Sequence, residues 1–207
     1  MKREAIIVFV AIMFFSLFLF IALKNPVIVG NFIKEGNAYN CSSCADCTSA
    51  IADASAGDTV YLNNTLANQA GNCIDFADAD NVIFDCMNYS NLIQGDGVVS
   101  DSGIFLNNGN YNNTVLNCNV SNFQYGVYFG GSSNNTIRGL DIFLNEVGVR
   151  FAANSYNNTI INSAIRKNTE QGVYREDISN DGNSLQNINI TANKYGIYIE
   201  GSAVLPP

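Results

Sequence analysis

Apolar and polar positions alternate along most of this chain, and the alternation itself recurs on a longer period. A glycine followed by a β-branched residue and then aromatic or apolar residues opens each cycle. It reads GIFL at Gly103, GVYF at Gly126, GVRF at Gly148, GVYR at Gly172 and GIYI at Gly196, at intervals of 23, 22, 24 and 24 residues. A second phrase keeps step: NNTV at Asn112, NNTI at Asn134, NNTI at Asn157 and GNSL at Gly182. A fixed period of this length predicts a stacked solenoid. Each coil then holds two or three short strands joined by tight turns, and it buries its apolar face only against its neighbours. The period of two turns Ile104 and Leu106, Val127 and Phe129, Val149 and Phe151, and Ile197 and Ile199 inward. A second strand per coil contributes Cys118 and Val120, Leu140 and Ile142, Ser163 and Ile165, and Ile188 and Ile190. About five to six coils of parallel strands follow, and asparagine suits their turns because it tolerates left-handed backbone.

The pattern changes towards the N-terminus. Residues Ala5 to Leu23 are apolar except for Ser16. As a helix they would span roughly 28 Å, close to the hydrocarbon thickness of a bilayer. The core is long for a cleavable signal and no small-residue cleavage site follows, so an uncleaved signal anchor is favoured over a signal peptide. Lys2 and Arg3 place the N-terminus in the cytoplasm and the remainder outside the cell. The expected organisation is an anchor helix over 1–24, a linker and Cys-rich lead-in over 25–47, a β-helix over 48–201 and a tail over 202–207. Thr48 to Asp58 reads as a short capping helix, with Thr48 as N-cap and Gly57 as the stop. Early strands are expected at Thr59 to Leu62, Cys73 to Phe76 and Val82 to Cys86, followed by an insertion from Met87 to Ser102.

The GIYI and NNTI phrases resemble the right-handed parallel β-helix repeats of the pectin-lyase-like superfamily, closest to NosD-like periplasmic repeats and archaeal surface-protein domains. TSAIADASAGDTVYL resembles the cap-to-first-strand phrase of such domains, and CIDFADADNVIFDC resembles their first coil. The resemblance covers roughly residues 41–201. It implies an all-β, right-handed parallel β-helix. It leaves activity open, because the fold hosts lyases, hydrolases, adhesins and scaffolds.

Composition narrows the partners. The net charge is −8 and there is no histidine. A field of that sign repels nucleic acid and anionic lipid. Six cysteines, Cys41, Cys44, Cys47, Cys73, Cys86 and Cys118, suggest disulfides in an exported domain, with connectivity open. The alternative reading of CSSCADC as part of a metal site lacks a fourth ligand at a familiar spacing. Eight sequons begin at Asn40, Asn63, Asn88, Asn112, Asn119, Asn134, Asn157 and Asn189. They are glycan acceptors in an exported chain or by-products of turn chemistry.

Candidate chemistry is sparse. Hydrolases of the resembled superfamily use paired carboxylates, and the nearest approach here is Asp75, Asp78, Asp80 and Asp85. Its lyases pair acid-bound calcium with a basic proton acceptor, for which Arg138, Arg150, Arg166 and Arg175 are the candidates. None of these sets has a recognisable spacing, so no catalytic set is expected. Copper lacks its soft ligands. Calcium would have to use Asp96, Asp101, Asp177 and Asp181, and without a ligand pattern no cofactor or metal is expected. Tyr128, Tyr174 and Tyr198 should face outward on one face, as sugar-binding rings or as strand-stabilising ones. The expectation is a single-pass, membrane-anchored extracellular β-helix that binds a surface polysaccharide or protein, with a polysaccharide lyase or glycoside hydrolase as the alternative. The incomplete last coil, ending at Leu205-Pro206-Pro207, adds end-to-end self-association as an expected partner mode.

Overall fold

The computed structural model describes residues 27–29, 32–87, 91–98, 100–107, 109–176 and 180–201. The apolar segment Ala5 to Leu23, the sequon at Asn88, Asp177 and the tail from 202 lie outside them. Among the described residues no helix is long and apolar enough to cross a membrane.

The strands wind as a solenoid of three parallel sheets. Each coil gives one strand to each sheet. The first coil is β4 (Thr59–Leu62), β5 (Leu66–Gln69) and β6 (Ile74–Asp75). The second is β7 (Ile83–Asp85), β8 (Leu92–Gly95) and β9 (Ser102–Asn107), and the third is β10 (Thr114–Leu116), β11 (Asn119–Ser121) and β12 (Tyr125–Gly130). Then come β13 (Thr136–Arg138), β14 (Asp141–Phe143) and β15 (Val147–Ala152), followed by β16 (Thr159–Ile161), β17 (Ala164–Arg166) and β18 (Gln171–Arg175). The last described coil is β19 (Ser184–Gln186), β20 (Asn189–Thr191) and β21 (Tyr195–Ile199). Sheet A runs β4-β7-β10-β13-β16-β19, sheet B β5-β8-β11-β14-β17-β20 and sheet C β6-β9-β12-β15-β18-β21. Ahead of them, β1 (Val27–Val29), β2 (Phe32–Glu35) and β3 (Ala38–Cys41) form an antiparallel meander, and β3 joins sheet A parallel to β4. With that rung the rod makes about seven turns, beyond the five to six expected. The stretch read as an insertion from Met87 contains β8, a full member of sheet B.

Stacking is in phase. Val60, Phe84, Val115, Ile137, Ile160 and Leu185 form one internal column on sheet A. Ile93, Val120, Ile142, Ile165 and Ile190 form another on sheet B. Ile104, Val127, Val149, Val173 and Ile197 form a third on sheet C. The expected inward residues are buried, except on the last described coil, where Ile197 is 54% and Ile199 59% exposed.

The glycine phrase has a steric cause. A Cβ on Gly148 would lie 2.5 Å from the carbonyl oxygen of Gly172 and 2.5 Å from Cγ2 of Ile165. Sheets B and C meet at this corner, and only a hydrogen fits between them. The NNT phrase has a polar cause. Its first asparagine turns the chain in the left-handed region, with φ of 57° at Asn112, 57° at Asn134 and 56° at Asn157. Its second asparagine bonds coil to coil, through the buried Asn113, Asn135 and Asn158 to the half-buried Asn183. A second internal ladder joins Asn145, Asn168 and Asn193 at the corner between sheets B and C. Buried backbone N–H groups at these corners thus find acceptors, as they must.

The cap is a helix, α1 (Cys44–Asp53), whose N-cap is Ser43 rather than Thr48. The Ser43 hydroxyl accepts from Asp46 N at 3.1 Å. Thr48 lies inside the helix and ties it to the first coil, donating to the Cys73 carbonyl and accepting from Asp75 N. All six cysteines are bridged: Cys41–Cys47 and Cys44–Cys73 pin the cap, and Cys86–Cys118 joins the second coil to the third.

Candidate functional site

Outward positions on sheet C form a column of aromatic residues with one arginine in it. The register runs Phe105, Tyr128, Arg150, Tyr174 and Tyr198. The three expected tyrosines therefore do share a face, with Arg150 between the first and second. The Tyr128 ring stacks on Phe105 at 5.3 Å between centroids and leans on Tyr125 at 5.4 Å. It leans over Gly130, where a Cβ would lie 2.4 Å from its Cε1. Tyr174 and Tyr198 are tilted neighbours at 5.7 Å, and Tyr195 adds a further ring 6.1 Å from Tyr198.

Arg150 organises this strip. Its guanidinium lies 4.8 Å from the ring centroid of Tyr125, 5.4 Å from that of Tyr128 and 5.6 Å from that of Tyr174. It donates to the Tyr125 hydroxyl and, at 2.7 Å, to Glu176. Its Nε is buried without an acceptor among the described residues, and the ring faces compensate part of that loss. Burial opposes the charge, but Tyr125 and Glu176 outweigh it and hold Arg150 above its ordinary value. Burial pushes the Tyr128 hydroxyl up. The Tyr174 hydroxyl donates to Glu200, and that bond, with burial second, pushes it up to about 12.

A groove of about 550 Å³ opens on this face, lined by Tyr125, Tyr174, Tyr195, Tyr198, Glu146, Glu170 and Glu200. A second groove, of about 410 Å³, follows the corner between sheets B and C past Phe123, Gln124 and Leu144, and it shares Glu146 and Glu170 with the first. Lys194 pairs with Glu170 at 2.7 Å. Glu146 makes no ion pair among the described residues. The glutamates escaped the sequence reading, although Gln124, Glu146, Glu170 and Lys194 all stand two places before a cycle glycine.

The other candidates do not converge. Asp75 lies on sheet C and accepts from Ala77 N at 2.8 Å, whereas Asp85 lies on sheet A and accepts from Met87 N at 2.9 Å. Asp80 accepts from Tyr111 N in the turn between them, and Asp78 is exposed there. Asp75, Asp80 and Asp85 thus each accept from a backbone N–H of the turns around this corner. The four arginines spread over three sheets. Arg138 is on sheet A and Arg150 on sheet C. Arg166 on sheet B is held bidentately by Asp141 at 2.8 and 2.6 Å, and Arg175 occupies an inner-column register position between Phe151 and Ile199. Asp96 accepts from Val98 N and Asp101 from Gln124 N, while Asp101 Oδ2 is buried without a partner. Among the described residues no group of three or more His, Cys, Asp or Glu could hold a metal ion. Of the sequon asparagines, Asn63, Asn112, Asn157 and Asn189 are exposed and Asn40, Asn119 and Asn134 are half-buried.

Comparison with known proteins agrees with this geometry. Residues 49–204 match the family described as the right handed beta helix region. An alginate lyase from Paenibacillus sp. str. FPU-7 superposes with a TM-score of 0.56 at 16% identity, over 73% of this chain and 57% of that one. At that identity the likeness is one of fold, and the chain spans little more than half the length of that enzyme. No curated protein sequence matches the chain. In-phase parallel sheets, glycine corners and stacked asparagines thus accompany a family match over most of the chain, and the protein belongs to the right-handed β-helix family, with the pectin-lyase-like fold.

Proposed function

We propose that this protein is a non-catalytic, carbohydrate-binding β-helix, carried outside the cell on its N-terminal apolar segment and held there as a single-pass membrane protein. The observation that supports this reading best is the outward column Phe105, Tyr128, Arg150, Tyr174 and Tyr198 beside an open groove. Rings on a stiff parallel sheet offer apolar plates with polar edges, spaced by the strand separation of about 4.8 Å. Tyr174 and Tyr198, on adjacent coils, are the principal contacts. Three disulfides suit an oxidising compartment.

Glycan-array binding by the full chain in detergent, followed by titration calorimetry, tests the proposal. Tyr174→Ala and Tyr198→Ala should each weaken binding by about 1 kcal/mol. Absence of any glycan ligand would sink it.

One observation favours a second reading, a polysaccharide lyase. Arg150 lies against Tyr125 and Tyr174, so a cation and phenolic groups stand together on the fold that the alginate lyase uses. Against it, Glu176 neutralises Arg150, and Glu146, Glu170 and Glu200 would repel a polyuronate. Unsaturated products from uronate polymers, formed with the wild type and lost in Arg150→Ala, would establish the lyase instead.

A further inference from the structure

We infer that the groove on sheet C takes a protonated amine carried on a sugar, so that its ligand is an amino-sugar polymer rather than a neutral or acidic glycan. This rests on the carbohydrate-binding reading and specifies its substrate class. The argument starts from what lines the groove. Its walls are the rings of Tyr125, Tyr174, Tyr195 and Tyr198, and its charged members are Glu146, Glu170 and Glu200. No cation is among the lining residues. Two cations that lie against its ring walls are already committed. Arg150 donates to Glu176 and Tyr125 beneath the rings, and Lys194 holds Glu170 from the outside. Glu146 therefore brings an uncompensated negative charge to the point where the two grooves meet.

Aromatic faces and carboxylates attract the same kind of ligand. The negative face of a tyrosine ring draws an ammonium group, and a nearby carboxylate adds a charge-assisted hydrogen bond. Lys194 Nζ already lies 5.4 Å from the Tyr195 centroid and Arg150 lies against Tyr125 and Tyr174, so Tyr198, 43% exposed, is the ring left to receive it. An acetylated amino sugar would fill the same shape but leave Glu146 unpaired. A uronate would meet carboxylate with carboxylate. The net charge of −8 steers in the same direction over longer range.

The test uses the full chain in detergent and four hexameric probes: glucosamine, N-acetylglucosamine, a uronate and lysine. The glucosamine hexamer should bind at least about tenfold more tightly than the acetylated one at low salt. Glu146→Gln should remove most of that preference, read as the ratio of the two hexamers' affinities. Tyr198→Ala should weaken both. Equal affinity for the two sugars would overturn the inference and leave carbohydrate binding standing, as would preference for the uronate. Lysine hexamer binding as tight as glucosamine would overturn the sugar assignment, and no binding of any sugar would overturn both readings.

Discussion

Asn135 donates both its backbone N–H and its side-chain amide to Oδ1 of Asn158, each at 3.0 Å. Asn158 repeats the pattern towards Asn183, at 2.9 and 3.1 Å, and also donates to the Ser132 carbonyl. One buried side chain thus serves three neighbours on two sides. Asn158→Ala should strand both Asn135 donors and cost about 3 kcal/mol or more, read as a lower urea midpoint. Asn158→Asp keeps the acceptor but turns a carboxylate towards the oxygens of Ser132 and Asn183, so its loss should be as large at neutral pH and smaller in acid. The adjacent Asn157, exposed with φ of 56°, should accept glycine with a change within about 0.5 kcal/mol.

The corner glycines should respond by position. Gly148→Ala drives a methyl into the Gly172 carbonyl and Ile165, and overpacking of that kind costs about 1–3 kcal/mol. At Gly196 the nearest atom would lie 3.9 Å away, so Gly196→Ala should be close to neutral. Paired thermal melts of the two variants check this, and equal destabilisation would contradict the close-approach explanation.

Tyrosine ionisation should be delayed at Tyr174 and at Tyr128. Tyr174 is held up at about 12 by its bond to Glu200, against an ordinary 10.0. The folded state binds that proton more tightly than the unfolded one. Its contribution to stability is therefore complete below pH 10.0, and it fades as pH rises towards 12. Ultraviolet titration of the folded protein should lose the phenolate step near 12 in Tyr174→Phe and shift that step downward in Glu200→Gln.

Bridge removal should be graded by loop length. Cys86–Cys118 closes 32 residues and Cys41–Cys47 only 6. Chain-entropy scaling makes the longer bridge worth about 1.5 kcal/mol more. Replacing Cys86 and Cys118 together by serine should therefore lower the melting temperature more than replacing Cys41 and Cys47, by scanning calorimetry.

The regular half of the fold was readable because its physical causes act at fixed positions. Gly148 and Asn158 are each the residue that fits a recurring steric or polar demand, so they recur in phase. The early coils were harder. Leu66–Gln69 pairs with Leu92–Gly95 across irregular register, and neither strand opens on the repeated phrases. The start of α1 was misread because Ser43 sits among cysteines, whose bridges rather than whose polarity pattern fix the segment. At the site, the tyrosine face followed from alternation alone. The role of Arg150 did not, because its partners Tyr125 and Glu176 stand 25 and 26 residues away and meet it only across coils. The aspartates lie close in sequence without a recognisable spacing, and a corner of the solenoid separates Asp75 from Asp85.

The bridges also give the rod unequal mechanical halves. Every cysteine lies between Cys41 and Cys118, so the coils from β13 onward are joined by hydrogen bonds, ion pairs and packing without a disulfide. Under tension the bridged coils have little hidden length to release, whereas the others can peel away one at a time. Each would yield 22 to 24 residues of slack, roughly 80 Å of contour. On the carbohydrate-binding proposal, a ligand held on Tyr174 and Tyr198 would pull directly on those yielding coils.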